Sequence, residues 1–148
     1  NPDPMSLRDF MKLAIEEAKI GGSPYGCVIV RNNKVVVQAY NTVDAENDPT
    51  AQAEINAIRK LSVILTEEER GDCILFSTCE PTPMGMSATI YAGIKKVIFG
   101  VPARQLNGDK IIIDITAKDI ADKTKYPVKV KGGKMQAECL ELFNSFQQ

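Results

Sequence analysis

Apolar residues recur at helical spacing behind Ser6: Leu7, Phe10, Met11, Ala14, Ile15 and Ala18 share one face, and Gly21-Gly22 closes the run. Ser6 suits the N-cap of that helix, because its hydroxyl can accept from an otherwise unpaired backbone N–H. The period then changes. "GCVIVRNNKVVVQAYN" holds two β-branched runs around Asn32-Asn33, a pair that tolerates the positive φ of a tight hairpin turn. Asp48 followed by Pro49 predicts a helix start, with Asp48 as N-cap and Ile55, Ile58, Leu61 and Leu65 on the apolar side. "CILFS" (Cys73–Ser77) reads as a short buried strand. Pro81 and Pro83 announce a second helix start, with Ala88, Tyr91 and Ala92 along the helix, and "KKVIFG" reads as the next strand. "IIIDI", a short helix near Ala117–Lys123, "VKVKG" and a last helix carrying Met135, Cys139, Leu142, Phe143 and Phe146 complete the order.

A hairpin followed by alternating helices and strands predicts an α/β fold with a mixed sheet covered by helices on both faces. No internal repeat or linker interrupts it, so one domain over residues 1–148 is expected. A hydrophobic share of 44% and a charged share of 25% fit an ordinary soluble globular chain. With no apolar run of membrane-spanning length and no basic-then-apolar leader, a cytoplasmic location away from membranes is expected. The four cysteines show no CxxC spacing and read as reduced thiols. The net charge of −1 is uneven: −5 over residues 1–94, +6 over 95–134 and −2 over the last fourteen residues. A basic segment can attract phosphates. Here the lysines alternate with aspartates as on a solvated face, and a large RNA substrate would suit a more basic chain. Nucleic acid is therefore not an expected partner, and no role follows for the 95–134 segment or the C-terminal tail.

Chemistry is restricted far more by the absence of histidine. Histidine is the usual general base at neutral pH and the commonest imidazole metal ligand. Any reaction must run on carboxylates, thiols, Tyr, Lys or water. In a sheet of this kind ligands collect at helix N-termini, where unpaired N–H groups and the helix dipole favour negative charge. The helix starts near Pro49 and Pro83 can face each other across one pocket, with Gln52 and Glu54 on one side and Thr82 and Gly85 on the other.

The stretches "NDPTAQAEINAIRKL" and "CILFSTCEPTPMGMSATIYAGIKKVIFG", with "SPYGCVIV" and "YNTV" before them, resemble the cytidine deaminase-like superfamily. Within it they are most similar to guanine deaminases and tRNA adenosine deaminases, and the resemblance runs from about Gly22 to Gly100. It implies a three-layer α/β/α sandwich around a mixed sheet. It also implies the signature H-x-E followed by P-C-x-x-C, whose His and two Cys bind zinc. This chain departs from that signature at every ligand: Gln52 replaces the His, and Thr82 and Gly85 replace the two Cys. Glu54 remains at the family's proton-shuttle position. The resemblance further places Asn41 as a base-reading residue, and Cys79 falls on a non-ligand position; Ala53 and Tyr25 are further substrate-contact candidates at the same pocket, although an aromatic beside Pro24 and Gly26 also suits packing. Read as residues alone, Asn41 equally suits a turn at a strand end, and Glu54 a helix N-terminus.

Three functions are compatible with this sequence. One is a zinc-less, inactive homologue that binds a purine-like molecule. Another is a partner subunit that forms a homodimer, or a heterodimer with a catalytic relative, since the resemblance implies dimers or larger assemblies. The alternative is an active nucleobase hydrolase with a site repurposed around Glu54. No zinc or other cofactor is expected.

Overall fold

The apolar stripe behind Ser6 forms α1, Leu7–Gly21, in the computed structural model, which describes residues 5–147; the ends of the expected domain lie outside them. Ser6 Oγ accepts from the Asp9 N–H and the Asp9 carboxylate accepts from the Ser6 N–H, a complete capping box. Gly22, at φ 72°, turns the chain out of the helix and donates to the carbonyls of Ala18 and Lys19. The buried stripe begins at Phe10, and Leu7 stays exposed.

The hairpin follows as β1 (Gly26–Arg31) and β2 (Lys34–Tyr40), with Asn32 and Asn33 both at positive φ and a bulge between Ile29 and Val30. With β3 (Cys73–Cys79), β4 (Lys96–Val101) and β5 (Lys129–Lys131), the described residues make a five-stranded sheet in the order β2-β1-β3-β4-β5. Strand β1 is antiparallel to β2 and β3, while β3, β4 and β5 run parallel. Successive side chains of a strand point to opposite faces, so Phe76 and Ile98 meet α1 and α8 (Gln136–Ser145), whereas Leu75 and Val97 meet α3 (Ala53–Ser62) and α5 (Pro83–Tyr91). The α/β/α sandwich with a mixed sheet is therefore as the resemblance implies.

Several elements differ from the sequence reading. The helix expected at Pro49 starts at Ala53, because Asp48 Oδ1 accepts from Thr50 N–H at 2.9 Å and Thr50 Oγ1 at 2.7 Å. Aspartate bonding two residues ahead closes a turn in place of a helix, so Gln52 becomes the N-cap. Ile55 and Ile58 are half-buried, and the fully buried positions of α3 are Ala53, Glu54, Ala57 and Leu61. In α5 the buried positions are Gly85, Met86 and Thr89, and Tyr91 is 85% exposed. "IIIDI" is an irregular connection in which Ile112 is 97% exposed. Phe146 lies just past α8 and is exposed. Three short helices, α2 (Val43–Glu46), α4 (Glu67–Arg70) and α6 (Ala103–Asn107), are too brief to show a period in the sequence; α7 (Ala117–Lys123) falls where expected. All four cysteines are free and buried. Among the described residues no helix is long and apolar enough to cross a membrane.

Candidate functional site

Helices α3 and α5 begin side by side beyond the C-terminal end of β3. Thr82 is the N-cap of α5, with Pro83 at the first helical position, and its Oγ1 accepts from the Gly85 N–H at 3.1 Å. The same hydroxyl donates to Gln52 Oε1 at 2.6 Å, joining the two helix starts. A methyl group built on Gly85 would lie 3.4 Å from Glu54 Oε2 and 3.6 Å from Gln52 Oε1. Positions 52, 82 and 85 thus converge on one point, as the sequence reading expected.

Glu54 is the second residue of α3 and is only 7% exposed. Burial pushes its carboxyl above the usual glutamate range, outweighing the Ser77 hydroxyl and the Glu54 backbone N–H, which act the other way. Its partner is Ser77, whose Oγ donates to Oε1 at 2.5 Å, and neither Gln52 nor Thr82 bonds to it. Nothing in the sequence marks Ser77 apart from any other serine of a buried strand. Cys79 ends β3 beside this carboxyl, and burial raises its thiol far above the ordinary value. A thiol so held is a poor nucleophile, since attack needs the thiolate.

These groups open into a cleft of about 400 Å³. Tyr25, Asn41, Gln52, Ala53, Glu54, Cys79 and Thr82 all line it, so every substrate-contact candidate lies at one place. Tyr25 is carried by a loop that Thr78 ties down, donating to Pro24 O at 2.7 Å and accepting from the Gly26 N–H at 3.1 Å. Burial, then Cys79 and Glu54 nearby, raise the Tyr25 phenol, so it stays a neutral donor. Asn41 Oδ1 accepts from the Val43 N–H at 2.9 Å in a turn, and the residue also lines the cleft. Asn56 holds this wall in place, its Nδ2 donating to Tyr40 O at 2.8 Å and Thr42 Oγ1 at 2.9 Å.

Sequence reasoning missed Glu80. Its Oε1 accepts from the Ala103 N–H at 2.9 Å and its Oε2 from the Ala117 N–H at 2.8 Å, at the first residues of α6 and α7. The signal was present: a carboxylate directly before Pro81, beside the second helix start.

Zinc sites draw on imidazole, thiolate and carboxylate. The converging positions offer instead a neutral amide, a hydroxyl bonded on both sides and a residue without a side chain. Among the described residues no three of Cys, Asp and Glu gather in a metal-holding group. This donor set does not fit zinc.

The fold and the paired helix starts are those of a deaminase domain. The family described as cytidine and deoxycytidylate deaminase zinc-binding region matches residues 5–101, and the chain belongs to it. Over 94 residues the chain is 40% identical to the guanine deaminase of Bacillus subtilis (strain 168), covering 63% of this chain and 60% of that protein. It is 34% identical over 115 residues to the tRNA-specific adenosine deaminase of Aquifex aeolicus (strain VF5), covering 75% of this chain and 76% of that one. A solved structure from a study of A-to-I editing by tRNA:A34 deaminases superposes with a TM-score of 0.73 at 26% identity, over 90% of this chain and 97% of the other.

Proposed function

We propose that this chain is a deaminase homologue that holds no zinc, does not deaminate, and uses the cleft to bind a purine-like small molecule. The observation that supports this reading best is the hydrogen bond between Gln52 and Thr82 at two of the positions where the family's signature has its ligands. Bound zinc lowers the pKa of water from about 15.7 to about 7. Forming hydroxide without it is harder by roughly 12 kcal/mol at 1.36 kcal/mol per unit. A lone carboxylate base recovers only about 10²–10⁴-fold. Glu54 therefore serves as the buried partner of Ser77 and as a hydrogen-bonding group toward a bound base. Tyr25 and Asn41 add a donor and an amide on the same wall. Assembly as a homodimer, or as a heterodimer with a catalytic relative, belongs to this reading.

Elemental analysis and deaminase assays test it. Protein purified from zinc-supplemented growth should carry well under one zinc per chain and should leave guanine, adenosine and cytosine unchanged. Stoichiometric zinc, or a deamination rate that disappears in Glu54→Gln, would overturn the reading. The second outcome favours the alternative, a hydrolase repurposed around Glu54. What speaks for that alternative is the placement of this carboxyl in the cleft with a raised affinity for its proton.

A further inference from the structure

The cleft has a neighbour at Thr82. A second cavity, also about 400 Å³, shares Gln52, Glu80, Thr82, Ala103 and Asn107 with the first as common walls. The two chambers differ in chemistry. The first presents the amide of Asn41, the carboxyl of Glu54 and the phenol of Tyr25. The second is walled by Pro83 and Met84 on one side and by Ile111, Ile113 and Ile115 on the other. Of its charged side chains, Arg104 and Asp114 pair with each other at 2.9 Å and Glu80 is held by two backbone N–H groups, while Lys110 lines it together with the apolar groups.

This apolar wall is held by the site itself. Glu80 grips both ends of the segment from Ala103 to Ala117 through backbone N–H groups at 2.9 and 2.8 Å. The Arg104–Asp114 pair closes that segment on itself. Isoleucines 112, 113 and 115 and Met84 nevertheless keep exposed surface, a cluster of the kind that marks a binding site on a folded domain.

We infer that one ligand spans both chambers: a planar hydrogen-bonding head beside Glu54 and Asn41, joined to an apolar arm that lies over Met84 and the isoleucines. The class is a purine-like base carrying an alkyl or aryl substituent. Each chamber alone is near the lower end of known ligand cavities, and together they match a larger small molecule. This inference rests on the ligand-binding reading of the cleft, and the shared walls are what commit the apolar chamber to the arm of that ligand.

Calorimetric titration of the full chain with guanine, and with guanines bearing a hexyl group at N9, N2 or O6, tests it. At least one hexylguanine should bind about tenfold more tightly than guanine, a difference of about 1.4 kcal/mol. Met84→Lys and Ile113→Lys, both at exposed positions, should each remove that gain and leave guanine affinity unchanged. Guanine binding with no gain from any hexyl group would overturn the two-chamber ligand while the reading of the first chamber stands. A gain that survives both lysine variants would overturn it too, by placing the arm elsewhere. Binding of none of the four compounds would overturn both. Light scattering on the same samples covers the other occupant. A dimer that dissociates on Met84→Lys, with no hexyl gain, would assign the apolar chamber to a second copy of the chain.

Discussion

Glu54 sits where a carboxylate is favoured by the N-terminus of α3 and disfavoured by burial, and burial is the larger effect. An acid with a raised native pKa binds its proton more tightly folded than unfolded. Below the ordinary glutamate value of 4.5 both states are protonated and Glu54 changes nothing. As pH rises from there toward the higher native value, only the unfolded chain ionises, so stability falls across that window and stays lower above it. Glu54→Gln keeps an oxygen for Ser77 Oγ and removes the ionisation. The variant should therefore melt above the parent at pH 7, with the gap closing at pH 4, as scanning calorimetry at the two values will read. A gap of the same size at both values would mean that Glu54 is not held this way.

At the scale of elements, the site is the meeting of two helix starts. Gly85 is the position that most needs the tertiary structure to interpret. From the sequence it is a missing ligand, whereas in the fold it is a gap into which a side chain fits, since its Cβ meets only ordinary contacts at 3.4–3.6 Å. The triple variant Gln52→His, Thr82→Cys, Gly85→Cys should therefore bind about one zinc per chain through one imidazole and two thiolates, with water completing the tetrahedron. Zinc titration with circular dichroism checks it. A folded triple variant that takes up no zinc would show that the α3 and α5 starts do not converge as described. The start of α5 was legible, because Pro81 and Pro83 bracket a residue able to cap. The start of α3 was displaced by four residues, because a side-chain bond at Asp48 to Thr50 competes with the helix and both outcomes use the same residues.

For the whole molecule, the closeness of α8 to the sheet sets a strict limit. A methyl group on Gly100 would stand 2.3 Å from Cys139 Sγ and 2.5 Å from the Thr78 carbonyl oxygen. One is a side chain of α8 and the other is backbone of β3, so α8 can shift but the strand cannot. Gly100→Ala should cost about 3 kcal/mol in urea unfolding, and Cys139→Ala in the same chain should restore only part of it. Full restoration would mean that the strand contact yields. No local pattern announces this glycine, because its constraint comes from elements far apart in the chain.

What the sequence determined by itself is what depends on neighbours within a few residues and on the chemistry of side chains. The helical stripe of α1, the Asn32-Asn33 turn, the alternation of helix and strand and the start of α5 belong there. So does the restriction on chemistry: with no histidine, and with Gln52, Thr82 and Gly85 at the two helix starts, no folding can place an imidazole or a thiolate at those positions. The tertiary structure decided which of these groups touch. Ser77 reaches Glu54 across 23 residues of chain, Thr82 reaches Gln52 across 30, and Glu80 reaches Ala117 across 37. Such pairs are set by strand order and by the face each residue occupies, and a one-residue change of register would turn every side chain of a strand to the opposite face. The apolar second chamber has the same origin: its isoleucines form an uninformative run in the chain, and become a wall because Glu80 holds both ends of their segment against α5.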